Sequence, residues 1–204
     1  MTEHPPRIVS VDSPQQVAQA LRSQQRSIVV FAGYSGMGYE DEAAMRAQVQ
    51  AVLAKFDPRR TTVSSGATAA GIGAVYELAK RLGFTTVGIV SSLAQNENEP
   101  LANDVDQVFH VKDDQWGGYL PGTTTLSPTS QAIVSSGDVF IGIGGGNAAR
   151  DELLEAKRLN KPVTFIPADM NHRVAREKAA AKGEPAPTDF RGAAHLALHQ
   201  ALND

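Results

Sequence analysis

The residues of this chain whose types and spacing could do chemistry lie in three glycine-bearing segments and beside one carboxylate. The segments are 33–38 (GYSGMG), 64–73 (SSGATAAGIG) and 142–150 (GIGGGNAAR). Each follows an apolar run and leads into a helical pattern. Glycine lets the backbone turn tightly and approach a bound group closely. The helix that follows offers unpaired N–H groups and a partial positive charge, which suit a phosphate. The candidate phosphate-binding residues are therefore Gly33, Ser35 and Gly36; Ser65, Gly66, Gly71 and Gly73; and Gly144, Gly145, Gly146 and Asn147. The segments are not a P-loop, because no Lys-Ser/Thr pair follows the glycines. Nor do they carry the dinucleotide fingerprint. Gly66, Gly71 and Gly73 are misspaced for it, and no acidic residue ends the next strand, 85–90.

Glu152 follows Asn147 by about five residues, which turns it to roughly the same side of a helix, facing the mouth of the third loop. A carboxylate beside a phosphate site is costly unless it holds ribose hydroxyls or moves a proton. The alternative is a helix-start charge that complements the dipole, which is also the plain reading of Asp151. Arg150 could place a positive charge at the same helix start. The connection 112–128 (KDDQWGGYLPGTTTLSP) is long for an α/β loop, and such loops are often binding loops or lids. It holds the only tryptophan, Trp116, with Tyr119 and the hydroxyls of Thr123–Thr125. These could stack on or contact a base; equally, the loop could be a folded surface segment or a dimer contact anchored by Trp116. The histidines are scattered without metal spacing, and His172 reads as a surface residue at a helix start. Ser35 and Ser65 lack the GxSxG nucleophile elbow. No metal or cofactor is expected.

The elements that must position these residues alternate. Strands are expected at 7–11, 27–32, 61–64, 85–90, 105–111, 139–143 and 163–166. Helices are expected after Ser13 and at about 40–56, 69–82, 127–136, 147–159 and 191–202. The run 27–32 (SIVVFA) is apolar without alternation, as in a parallel strand covered on both faces. Strands alternating with helices predict βαβ units, and the right-handed crossover rule places helices on both faces. The fold class is thus α/β: a Rossmann-like, doubly wound, mainly parallel sheet in three layers. The chain reads as a single domain over 1–204, with 182–188 (KGEPAPT) a short linker to a terminal helix. In such sheets ligands bind outside the carboxyl ends of the strands, near the switch in strand order.

The order of a Ser-Gly turn, then SSGATAAGIGAV, then VFIGIGGGNAARDELLEAKRLNKPV resembles the lysine-decarboxylase-like or Lonely Guy (LOG) proteins of the SMF/DprA–LOG Rossmann-like superfamily. The resemblance covers about residues 27–170. In that family the second glycine loop runs into a helix start matched here by Gly71, Gly73, Ala74 and Val75. Its signature PGGxGTxxE, aligned on the glutamate, places Gly144 at the proline, Gly145 and Gly146 at the two glycines, Asn147 at the free position and Glu152 at the glutamate. Ala148 and Ala149 replace the Gly-Thr, which removes a hydroxyl donor. The helix at SPTSQAIVSSGD lacks the family's Arg-Lys pair. The resemblance implies a homodimer and cleavage of the N-glycosidic bond of nucleoside 5′-monophosphates, with Glu152 as the matched catalytic residue; Arg150, which matches no family position, is the second catalytic candidate, as a charge supplied from elsewhere. The departures shift the expectation towards a protein that binds a nucleotide or phosphosugar, with a hydrolase and a carrier or sensor of another oxyanion as alternatives.

Composition narrows the classes. The 204 residues are 42% hydrophobic and 20% charged, with a formal net charge of −3. A domain of this size hides roughly 70% of the surface its unfolded chain exposes. No block of Lys and Arg offers a grip on nucleic acid. The absence of cysteine excludes disulfides, thiolate nucleophiles and cysteine-ligated zinc. No run approaches the ~20 apolar residues of a membrane span, and the first residues are polar, so a cytoplasmic protein is expected.

Overall fold

The structure, a computed structural model, describes residues 5–200. Seven strands form one sheet: β1 (Arg7–Val11), β2 (Ser27–Gly33), β3 (Thr61–Ser65), β4 (Thr85–Ser91), β5 (Gln107–Val111), β6 (Val139–Ile143) and β7 (Val163–Ile166). All pairings between them are parallel, in the order β1-β5-β4-β3-β2-β6-β7. The chain winds outward from β2 through β3 and β4 to β5, then returns to place β6 on the other side of β2. That reversal is the switch point, and the crevice beyond β2 and β6 is where such a sheet leaves room for a ligand.

Strand periodicity divides the core. Val29 and Phe31 face one side of β2, and Ile28, Val30 and Ala32 the other. The first side is covered by α2 (Glu42–Leu53) through Met45, Val49 and Leu53, and by α3 (Ala74–Arg81) through Val75, Tyr76 and Leu78. The second is covered by α1 (Pro14–Arg22), α5 (Pro128–Ser136), α6 (Asn147–Arg158) and α8 (Ala193–Gln200), through residues such as Leu21, Ile133, Leu153 and Leu198. The result is the three-layer α/β/α arrangement expected of this sequence. No described helix is long and apolar enough to cross a membrane.

Several boundaries differ from the sequence reading. The helix expected from about 40 begins at Glu42, because the Asp41 side chain accepts the Ala44 N–H at 2.8 Å and caps it there. The helix expected from 69 begins at Ala74. Gly71–Gly73 form a 3-10 turn instead, set by the Ile72 N–H bond to the Tyr34 carbonyl at 2.7 Å. The single turn α4 (Leu93–Asn96) was not foreseen, and α7 (His172–Ala181) was read only as a helix start at His172; Asn171 caps it through the Val174 N–H at 2.9 Å. The terminal helix begins at Ala193, and the expected positions 201 and 202 lie outside the described residues.

Candidate functional site

A cavity of about 540 Å³ opens at the carboxyl edge of the sheet. Its walls come from the ends of β2 (Gly33), β3 (Ser65) and β4 (Ser91) and from the first turns of α6 (Ala148, Ala149, Glu152). Ser35, Gly36, Gly66 and Trp116 also line it, so these candidates from separate segments share one space. Ile89 and Ile133 add apolar wall. Trp116, 49% exposed, stands at the rim.

Glu152 is the chemical centre of the inner wall. It is 7% exposed, and Ser130 donates to its Oε1 at 2.6 Å. Burial pushes its carboxyl up to about 7, with the Asp151 charge adding to the rise and the Ser130 hydrogen bond opposing it. Arg150 does not relieve this. Its guanidinium lies 2.7 Å from Asp151 Oδ1, bonds Asn147 Oδ1 at 3.4 Å, and is not among the groups lining the cavity.

The connection 112–127 is stapled onto the two helices that carry this wall. The Gly118 N–H donates to Ser130 Oγ at 2.7 Å, Tyr119 N–H to Asp151 Oδ2 at 2.8 Å, and Ser127 N–H to the Gly118 carbonyl at 2.8 Å. Gly117 and Gly118 both have positive φ, so the chain turns back sharply after Trp116. Tyr119 pairs with Leu126 across this loop, and the Thr123 hydroxyl bonds the Leu120 carbonyl at its exposed tip. Neither lines the cavity.

The remaining glycines are used by the chain itself. A Cβ on Gly71 would run into the Tyr34 and Ser35 carbonyl oxygens, and one on Gly73 into the Thr68 carbonyl. Both glycines border a neighbouring hollow, where Arg46 pairs with Glu77 at 2.6 Å. Gly144 packs under the Tyr34 ring and against the Ala168 carbonyl. Gly145 packs against Ala149 and Ala194, and its carbonyl accepts the Ala194 N–H at 3.1 Å. Gly146 caps α6 in open space beside Asn147. His172 stacks on Phe190 at 3.9 Å, between Glu40 and Asp169, away from the cavity lining.

Sequence reasoning missed four contributors. Thr129 lines the cavity and Ser130 holds Glu152; both lie on α5. Asp113, buried, accepts the Thr129 N–H at 2.8 Å and the Gln115 N–H at 2.9 Å, which fixes the start of that helix. Lys178 of α7 is the only lysine or arginine among the cavity-lining residues, and its Nζ donates to the Gly36 carbonyl at 3.2 Å. The hydroxyls of SPTS at a helix start were a usable signal; nothing local marked Lys178. Among the described residues no group of three or more His, Asp or Glu is placed to hold a metal ion.

No protein-family model and no curated protein matches this chain. Solved structures do. The molybdenum cofactor binding protein from the phototrophic bacterium Rippkaea orientalis is 15% identical, with a TM-score of 0.51 over 88% of this chain and 98% of that one. The molybdenum cofactor carrier protein of Chlamydomonas reinhardtii is 17% identical, with a TM-score of 0.50 over 88% and 99%. At these identities the likeness is one of fold: this chain shares the Rossmann-like three-layer architecture of those proteins.

Proposed function

We propose that this chain binds a small molecule made of a heterocycle and a phosphate, of the nucleotide type, in the cavity at the switch point, and that it acts as a binding or carrier protein. The observation that carries the reading is the composition of that one cavity. It offers apolar wall from Ile89 and Ile133, an aromatic ring at the rim, and convergent polar groups from separate segments. Such a mixture is what small-molecule sites use to bury a ring and orient it. Nucleoside monophosphates and the molybdenum cofactor, itself a phosphate-bearing pterin, both belong to this ligand class. Membership of the LOG group is part of the proposal and rests on the fold and the sequence pattern.

Binding is favoured over hydrolysis because the positive charge that would assist cleavage is engaged elsewhere. Arg150 is held by Asp151, and Thr129 and Ser130 carry no charge. A hydrolytic reading has one observation in its favour: a carboxyl with a pKa of about 7 is suited to general acid–base work. Calorimetric titration with AMP, GMP and ribose 5-phosphate, with chromatography of the incubated mixtures, separates the two. Saturable heat without free base supports a binding protein, free base supports the hydrolase, and no heat from any of the three rejects the ligand class. The chain is further proposed to be a homodimer, since Leu82, Leu159 and Leu196 leave apolar surface exposed; a light-scattering mass of one chain at micromolar concentration would refute this.

A further inference from the structure

The cavity wall carries two chemically different sets of groups, the buried Thr129 and Glu152 and the exposed Lys178, and one buried hydroxyl shows what the inner part is built to take. Thr129 lines the cavity, is 3% exposed, and its Oγ1 has no hydrogen-bond partner. Its own N–H is engaged by Asp113, so the start of α5 is anchored beside the cavity. A buried hydroxyl left unpaired costs free energy in the unliganded protein. Beside it Ser130, the next residue of α5, is fully engaged between the Gly118 N–H and Glu152. Only Oε1 of Glu152 is engaged by Ser130. The inner wall therefore holds a hydroxyl and a carboxyl with spare hydrogen-bonding capacity, and no cation; the Thr129 oxygen is closed off in the unliganded protein, so a ligand engages it with a turn of that side chain.

Resting on the proposed binding of a phosphate-bearing heterocycle, we infer that Thr129 and Glu152 together read an uncharged donor–acceptor edge of the ring, an amide or amidine, and that the phosphate lies at the opposite end, by Lys178 and the Ser35–Gly36 turn. A phosphate at the inner wall would meet Glu152, with Asp151 close behind it, and find no free cation. At the outer end Lys178 is bonded only to a backbone carbonyl, which an anion outcompetes. This places the phosphate away from the start of α6, where the glycine pattern alone would put it. A carboxyl that burial leaves partly protonated near neutrality can both donate and accept, as can a hydroxyl, so the pair matches an edge that presents one of each.

The test compares adenosine and guanosine with their 5′-monophosphates on the wild type, Thr129→Val and Lys178→Gln, by calorimetry. Thermal unfolding of each free protein checks that it is folded. Thr129→Val is expected to be at least as stable as the wild type, because it removes an unpaired hydroxyl, and to bind nucleoside and monophosphate both about tenfold more weakly. Lys178→Gln is expected to weaken the monophosphate by a larger factor than the nucleoside. Unchanged affinities in Thr129→Val, or a loss confined to the monophosphate, would overturn the inference while leaving the ligand class intact. If the wild type binds none of the four compounds, the ligand class fails and the inference falls with it.

Discussion

Ser130 and Glu152 face each other across the junction of α5 and α6, with the Ser130 hydroxyl donating to the buried carboxylate at 2.6 Å. The same hydroxyl accepts the Gly118 N–H at 2.7 Å, so one side chain ties a loop and two helices together. Ser130→Ala removes the hydrogen bond that favours the ionised acid and leaves the Gly118 N–H unpaired. The variant should lose about 1–3 kcal/mol of stability. The Glu152 titration midpoint, followed by carboxyl carbon NMR, should move above its wild-type value; an unchanged or lower midpoint would contradict the arrangement.

Glu152 should also write itself into the pH dependence of stability. Its folded pKa, about 7, lies above the ordinary 4.5, so between those values the folded chain holds a proton that the unfolded chain has released. Stability from this residue is therefore fully present below about pH 4.5, falls as pH rises through 7, and is then level. The loss is on the order of 3 kcal/mol. The neighbouring charges are Asp151 and the Arg150 paired with it. Urea unfolding at pH 5 and pH 8 measures the difference, and Glu152→Gln should flatten it.

Gly71 and Gly66 make a contrasting pair in one loop. Gly71 has a φ of 60° and sits against the Tyr34 and Ser35 carbonyl oxygens. Gly71→Ala should destabilise the protein by roughly 2 kcal/mol or more, since strain and a backbone clash combine. Gly66 has an ordinary φ and open space where a Cβ would point, so Gly66→Ala should change stability by less than about 1 kcal/mol. Denaturant midpoints of the two variants decide this, and equal losses would be the contrary result.

Tyr34 joins the β2 loop to the far end of the chain. Its hydroxyl donates to the Ala168 carbonyl at 3.1 Å and accepts the Gly192 N–H at 2.7 Å. Tyr34→Phe leaves that buried N–H without a partner and should cost about 1–3 kcal/mol. Hydrogen exchange at Gly192 should accelerate in the variant, while exchange in β3 and β4 should change far less.

Trp116 is the sole tryptophan and stands at the rim of the cavity. Binding of a heterocycle there should shift or quench its emission. Trp116→Ala should weaken nucleotide binding by roughly three- to tenfold with little effect on stability, because the side chain is half exposed. A saturating calorimetric titration with no change in emission would place the ligand elsewhere.

What the sequence determined by itself is local in origin. The apolar run 27–32 fits a strand covered on both sides, and the alternation of such runs with helical patterns led to the parallel three-layer sheet. The cavity's place at the carboxyl edge follows from that topology, and Gly33, Ser35, Gly36, Ser65, Gly66, Trp116 and Glu152 were legible as residues near it. Tertiary structure alone decided which glycines leave room for a ligand. Gly144 and Gly145 read as a phosphate loop in sequence, yet the space their missing side chains leave is filled by Tyr34, Ala149 and Ala194. It alone turned Arg150 onto Asp151, set Ser130 against Glu152, and brought Thr129 and Lys178 to the cavity from helices far apart in the chain. The reason is physical: backbone period fixes which face a residue occupies, but the partner it meets there is set by packing between elements distant in sequence, and no local pattern encodes that meeting.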